Sequence, residues 1–297
     1  MRVLVCGASG FAGSAVVSDL LAHAHAVRAF DVDPVAEQRR RHASDARVEC
    51  VSGSLDDYEA VRRAMDGCAA VVNAIKYVPP HDSSWPGQSH GYTPHDAQPW
   101  LVHIQGLWNV LENARALGLR RVVHISSCQT VWPHGGASVR RFTAETRSQE
   151  GDIYGISKRL QEEMCRQFYD AHSLPILVLR ADGIVDTIAG TTRRGRLGDE
   201  DQRQLAARPP EELYGVGAVC RWDLASACRV GATQPRLPPF DVLHVVGQSA
   251  AATAACNVGH TAAVLGLRFR AITVHDMLHG RRRPAPGTAA TNVEARL

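Results

Sequence analysis

Met1-Arg-Val-Leu-Val-Cys6-Gly7-Ala-Ser-Gly10-Phe-Ala-Gly13-Ser-Ala-Val-Val17 runs from a short apolar segment through three spaced glycines into residues of helical spacing. Gly7 permits a tight turn, Gly10 lets the backbone approach a pyrophosphate, and Gly13 lets the next helix settle on a sheet. The start of that helix offers free N–H groups and the positive end of its dipole to phosphate. Gly7, Ser9, Gly10, Phe11, Ala12 and Gly13 are therefore candidate dinucleotide contacts. The second apolar run ends Arg28-Ala-Phe-Asp31, placing Asp31 18 residues after Gly13. That is near the spacing of about 20 for an acid that accepts hydrogen bonds from the adenosine ribose. A carboxylate there repels a 2′-phosphate, so the expected cofactor is NAD rather than NADP. Arg39-Arg40-Arg41 is the counter-signal, and it reads as a solvated helix face.

Outward from this turn, strands and helices alternate. Strand-like runs are Arg2–Cys6, Val27–Asp31, Val48–Val51, Ala69–Ile75, Arg121–Ser126 and Ile176–Arg180. Helical spacing covers Ala12–Ala24, Val35–Ser44, Asp57–Met65, Ala97–Leu117 and Asp152–His172. This alternation predicts an α/β fold, a Rossmann-type doubly wound parallel sheet with a small C-terminal substrate lobe. We expect residues 1–180 to form the NAD-binding domain with the catalytic helix. Residues 181–276 should form the substrate lobe, partly interleaved with the sheet, and 277–297 a disordered tail. Within the lobe Trp222–Ala232 and Val258–Leu265 read as helices and Asp241–Val246 as extended. Two stretches break the rhythm. Tyr77–Gln98 is a long proline-containing loop with His81, His90 and His95, and Thr187–Pro210 is a polar, arginine-rich candidate lid.

Composition narrows the function class. A net charge of +3 is too small to argue for nucleic acid. No apolar run reaches the length of about 20 residues that spans a bilayer, and the N-terminus lacks the pattern of a signal peptide. A cytoplasmic location, no membrane partner and no metal site are expected. The eight cysteines contain no C-x-x-C pair and read as free, mostly buried thiols. Of the 33 basic residues only Lys76 and Lys158 are lysines. Lysine can titrate whereas arginine stays charged, so these two positions draw notice.

Tyr154-Gly-Ile-Ser-Lys158 puts a phenol and an ammonium one helical turn apart on one face. A phenol of pKa about 10 is a poor base at neutral pH, and a neighbouring cation favours its ionised form. Tyr154 could then take a proton from a substrate hydroxyl while hydride leaves for nicotinamide, and Lys158 could also hold the nicotinamide ribose.

At this point the residues resemble the extended short-chain dehydrogenase/reductase superfamily, in its NAD-dependent epimerase/dehydratase group. The resemblance covers about Met1–Leu267 and rests on Gly7–Gly13, Asp31, Val122-Val-His-Ile-Ser-Ser127, Tyr154–Lys158 and Leu177-Val-Leu-Arg180. It implies a Ser or Thr at the end of the fifth strand that hydrogen-bonds the reacting oxygen. Ser127 stands where some reductases of the group carry it, and Cys128 where many sugar epimerases do. A thiol is a weak donor, so Ser127 is the expected residue. The 4,6-dehydratases carry an acidic pair just after this position; Gln129 and Thr130 here argue against dehydration. The resemblance also implies cofactor contacts at Ser54, Leu55, Asn73, Ala74 and His103, with Ser54 replacing the usual Asp and His103 the usual Asn. Lys76, Cys128, Gln129, Asp182 and Arg193 are candidate substrate contacts. Gly106–Arg115, Ser126–Thr130 and Gly259–Gly266 look similar to stretches of the uronate dehydrogenases. The implied activity is NAD-dependent oxidation or reduction of a secondary alcohol or ketone on a sugar-like or sugar-acid-like small molecule. The alternatives are an epimerase with tightly held NAD and a non-catalytic NAD-binding regulator. A homodimer is the candidate assembly.

If Asp31 sets the cofactor preference, calorimetric titration gives tighter binding of NAD than of NADP, and Asp31→Ala narrows the gap. Equal or tighter NADP binding by the unaltered protein would transfer selectivity to the arginine run.

Overall fold

The valine-rich run Arg2–Cys6 forms strand β1, with Val3, Leu4, Val5 and Cys6 wholly buried. Near-continuous apolarity is what a strand covered on both faces requires. The side chains alternate: Val3 and Val5 enter one core cluster, Leu4 and Cys6 the other. Val71 and Val72, and likewise Val178 and Leu179, divide in the same way. The computed structural model describes residues 1–42, 45–79, 92–93, 95–131, 146, 151–192, 195–196 and 218–279.

After β1 come α1 (Gly13–Ala22), β2 (Ala26–Asp31), α2 (Val35–His42), β3 (Val48–Ser52), α3 (Tyr58–Met65) and β4 (Ala70–Asn73). Next are α4 (Gln98–Trp100), a π-helical turn (Leu101–Gln105), α5 (Gly106–Ala116), β5 (Arg121–Ser127) and a 3₁₀ turn (Cys128–Thr130). Then follow α6 (Ile153–His172), β6 (Ile176–Ala181), β7 (Val185–Asp186), β8 (Thr191–Thr192), β9 (Gly195–Arg196) and α7 (Arg221–Thr233). The described chain closes with β10 (Phe240–Val245), α8 (Ala250–Ala255), α9 (Val258–Leu265) and α10 (Val274–His279).

Seven strands form one parallel sheet in the order β10-β6-β5-β4-β1-β2-β3. The fold is the expected doubly wound Rossmann type. Its order reverses between β1 and β4, and ligands of such sheets lie beyond the carboxyl ends of the strands at that point. Gly7, Ala74 and Ser127 all follow or end strands on this edge.

The structure departs from the sequence reading in two places, the helix over Ala97–Leu117 and the start of the tail. The single helix expected over Ala97–Leu117 is interrupted by the π turn, in which His103 is wholly buried. A β-carbon on Gly106 would lie 2.7 Å from Leu55 Cβ, so this point of the helix presses directly on its neighbour. β10 adds to the main sheet by pairing with β6. Helix α7, which leads into β10, packs beside α1, where Arg229 Nε bonds Asp19 Oδ2 at 2.7 Å. Finally, α10 extends into the stretch read as the start of the tail, and Met277 is buried among Val185, Ala218, Cys220 and Ile272. Residues 280–297 and most of the expected 187–210 lid lie outside the described residues; the described part of the lid includes the antiparallel strands β8 and β9. Among the described residues no helix is long and apolar enough to cross a membrane.

One buried ion pair ties α6 to the sheet. Arg180 on β6 donates to both oxygens of Glu162 on α6, Nε to Oε1 at 2.9 Å and Nη2 to Oε2 at 2.7 Å. Glu162 Oε1 also accepts from Ser126 Oγ at 2.6 Å and Thr130 Oγ1 at 3.1 Å. Arg180 and Glu162 are only 2% and 6% exposed, so removing one partner strands a charge in the interior. Arg180→Met is expected to cost about 3–5 kcal/mol in urea denaturation. Arg40→Ala breaks the solvent-exposed pair with Glu37 and should leave the unfolding midpoint unmoved.

Candidate active site

The glycine turn is built so that nothing larger fits. Gly7 has φ +79°, in the left-handed region, and a β-carbon there would approach Ile75 Cγ1 at 3.0 Å. A β-carbon on Gly13 would lie 1.9 Å from the Gly7 carbonyl oxygen, so only glycine lets α1 begin against the turn. No side chain caps α1, and its first turn holds no acidic residue. The buried Ser9 hydroxyl has no hydrogen-bond partner among the described residues. An uncapped helix start and an orphaned hydroxyl suit a bound anion, and the turn therefore fits the diphosphate of a dinucleotide.

Asp31 ends β2 beside this turn. Its Oδ2 accepts from the Ser9 backbone N–H at 2.9 Å, and Oδ1 accepts weakly from that of Asp33 at 3.4 Å. A carboxylate has about four acceptor sites, so capacity remains for ribose hydroxyls. The arginine run is the exposed face expected of it, with Arg39, Arg40 and Arg41 all exposed. Arg40 pairs with Glu37, but Arg41 Nη1 reaches the Ser9 carbonyl at 3.0 Å. Leu55 is buried and Ser54 half-buried after β3; the Leu55 carbonyl accepts from Asn109 Nδ2 at 2.7 Å. Asn73, 1% exposed, accepts from the Ile75 N–H at 3.2 Å, and Ala74 donates to the Cys6 carbonyl.

Asp152 caps α6 by accepting from the Gly155 N–H, which starts the helix so that Tyr154 and Lys158 share a stripe with Glu162. Lys158 is 2% exposed and donates to the Ile125 carbonyl at 2.9 Å. Burial pulls its pKa down to about 8, partly offset by the Glu162 charge. The Lys76 ammonium stands 4.8 Å from the Tyr154 ring centroid and that of Lys158 5.9 Å. Both lysines of the chain thus gather on one phenol.

His103 packs edge-on against Tyr154, 6.2 Å between ring centroids. Its Nε2 accepts from the Tyr77 backbone N–H at 3.1 Å, which leaves the proton on Nδ1 to be donated to Ser157 Oγ at 2.8 Å. Ser157 in turn donates to the Tyr154 carbonyl at 3.0 Å. The π turn carries His103 into this chain, and π-bulges are frequent at functional sites.

Ser127 closes β5 at 7% exposure, and its Oγ accepts from the Gln129 N–H at 3.2 Å. Cys128 has no exposed surface; its thiol lies 3.7 Å from the Arg180 carbonyl and hydrogen-bonds with Cys256, which together with burial pushes its pKa well up. Gln129 is half-buried. Asp182 follows β6, and burial raises its pKa to about 6. Arg193, His81 and His90 lie outside the described residues.

Sequence reading missed four side chains here. Tyr92, from the long loop, is wholly buried against Tyr77 and Tyr154, with its hydroxyl on the Tyr77 carbonyl. Glu162 and Arg180 join α6 to β6, and Arg221 reaches the glycine turn from the C-terminal part of the chain. Glu162 could have been found at i+4 from Lys158; nothing local marked the other three.

A family model described as the NAD dependent epimerase/dehydratase family matches residues 3–217. Uronate dehydrogenase of Pseudomonas putida is 25% identical over 180 residues, 60% of this chain and 59% of that protein. The chain spans about half the length of the curated relatives it matches. In structure, it is similar to Agrobacterium tumefaciens uronate dehydrogenase complexed with NAD, with TM-score 0.66 and 20% identity over 96% of this chain and 92% of that one. It is likewise similar to Bacillus cereus UDP-glucuronic acid 4-epimerase with UDP-glucuronic acid and NAD, with TM-score 0.69 and 16% identity over 94% and 97%.

The contrast between Ser127 and Cys128 yields a test. Ser127→Ala should lower turnover by about a hundredfold or more, as loss of one well-placed donor does. Cys128→Ala should cost much less turnover, since its thiol faces the Arg180 carbonyl. The opposite ranking in steady-state kinetics would move the reacting oxygen to the thiol.

Proposed function

The chain belongs to the NAD dependent epimerase/dehydratase family, and from that premise we propose that it is an NAD-dependent dehydrogenase or reductase acting on a secondary alcohol or ketone of a sugar-acid-like molecule. The observation that carries this reading is the convergence of Lys76 and Lys158 on the Tyr154 ring.

Each residue then has a task. The turn Gly7–Gly13 holds the diphosphate with backbone N–H groups, and Asp31 accepts from the adenosine ribose. Bound NAD supplies a hydride acceptor for the carbinol carbon. Tyr154, as phenolate, takes the hydroxyl proton, and in the reverse direction returns it to the carbonyl oxygen. Lys158 stabilises that phenolate by charge. Ser127 donates a hydrogen bond to the reacting oxygen, where charge develops. Lys76 is a second cation at the same phenol and a proposed substrate contact. Asp182, Gln129 and Arg193 complete the proposed substrate contacts. His103 holds Tyr154 in place through Ser157, and the direction of its hydrogen bonds leaves it neutral.

Tyr154→Phe removes only the hydroxyl, so NAD affinity and thermal stability should persist while turnover collapses; near-normal turnover would defeat the reading. Free NAD should accumulate as NADH during reaction with substrate, which an epimerase that returns its hydride would not allow. The pH profile carries a second mark. With its pKa lowered to about 8, Lys158 is an ammonium below that pH and loses its charge above it. In the free enzyme, reported by kcat/KM, the alkaline limb should therefore fall near pH 8. Lys158→Arg cannot deprotonate, so its residual activity should lack that limb.

A further inference from the structure

Arg221 opens α7, yet its side chain belongs to the glycine turn 207 residues earlier. Nη2 donates to Ser14 Oγ at 2.5 Å, and the guanidinium carbon stands 4.6 Å from the centroid of the Phe11 ring. The ring of Trp222 lies near at 5.1 Å, while the nearest carboxylate oxygen, Asp186 Oδ2, is 3.6 Å from Nη1. That distance is an ion pair without a short hydrogen bond. Nε is buried and has no hydrogen-bond partner among the described residues. Asp186 Oδ1 accepts from the N–H groups of Ile188 and Ala189 and from Trp222 Nε1, so only Oδ2 faces the guanidinium. Arginine carries five donors in a planar fork. The side chain is 15% exposed, and beyond its bond to Ser14 the fork keeps donors for a further acceptor.

The surroundings name that partner by chemistry. Arg221 meets Ser14 at the start of α1, and two turns later Arg229 meets Asp19. The two helices therefore run side by side in one direction, with both N-termini at the glycine turn. The turn itself, Gly7 to Ser14, contains no cationic side chain. Of the arginines bonded to it among the described residues, Arg41 sits on the Ser9 carbonyl beside Asp31, at the ribose end, and Arg221 sits at the helix end. A diphosphate at that helix start would carry two negative charges facing dipoles alone, unless Arg221 meets them. The geometry points to Arg221 as a pyrophosphate-binding residue of the dinucleotide site, contributed by the C-terminal part of the chain. The assignment rests on the dinucleotide reading given above. Phosphate oxygens match the guanidinium fork as carboxylates do. Phe11, between the two glycines, then serves as a platform that holds the fork flat over the turn.

Isothermal titration separates the pieces of the ligand. NAD and ADP-ribose contain the pyrophosphate; adenosine contains only the ribose and base that Asp31 reads. Arg221→Gln should weaken NAD and ADP-ribose by about ten- to a hundredfold, the value of a charge-assisted hydrogen bond, and leave adenosine affinity unchanged. Arg221→Lys, which keeps the charge without the fork, should fall between the two proteins. Raising salt should weaken ADP-ribose binding less steeply in Arg221→Gln than in the unaltered protein. Arg221→Gln that binds ADP-ribose as tightly as the unaltered protein overturns the assignment. So does an equal loss of adenosine affinity, which would mark a structural clamp between α1 and α7. Should Arg221→Gln fail to fold, Arg221→Lys carries the test: weaker ADP-ribose with unchanged adenosine supports it, and no change refutes it. An unaltered protein that binds neither NAD nor ADP-ribose would overturn the dinucleotide reading as well.

Discussion

The pairing of Glu162 with Arg180 is the constraint on which the arrangement of this site depends. It joins three pieces of backbone: the helix of Tyr154 and Lys158, the sixth strand, and the turn after Ser127. An ion pair so deeply buried gains little net stability over an apolar replacement. Its value lies in direction. A bidentate guanidinium–carboxylate contact has one good geometry, and Ser126 and Thr130 fill the remaining acceptor capacity of Glu162. The helix can neither slide nor rotate against the strand end without stranding a charge. Ser127 is held from its neighbours on both sides, because Ser126 and Thr130 are tied to the same carboxylate.

A second constraint works on the opposite side of Tyr154. The π turn swings His103 inward, and hydrogen bonds from the Tyr77 N–H and to Ser157 settle which ring nitrogen carries the proton. Tyr92 packs over the same rings. The phenol is thus confined by aromatic contacts while two ammonium groups approach it. Burial weakens the hold of Lys158 on its own proton, and the charge of Glu162 one turn further on restores part of it. The brace that fixes the helix thereby also moderates its lysine.

Much of this was legible from residues close together in the chain. Glycines at 7, 10 and 13, an acid at 31, and Tyr154 with Lys158 are spacings imposed by a turn, a strand and a helix. The apolar runs marked the strands because a sheet covered on both faces demands them. The continuous helix over Ala97–Leu117 was misread because an extra residue in one turn leaves hydrophobic spacing almost intact; only the inward pull on His103 and the pressure of Leu55 on Gly106 reveal it. Asp241–Val246 reads as extended, but an extended run by itself gives no sign of which strand it will join.

The sequence by itself determined the strand order's raw material, the glycine turn, the acidic end of the second strand and the Tyr–Lys stripe, since each follows from sterics and periodicity within a few tens of residues. Tertiary structure alone decided that Lys76 would stand over Tyr154, that Glu162 would meet Arg180, and that Arg221 would close on Ser14. These contacts depend on which faces of distant elements come together, and helix and strand periodicity says which face is apolar without saying what will cover it.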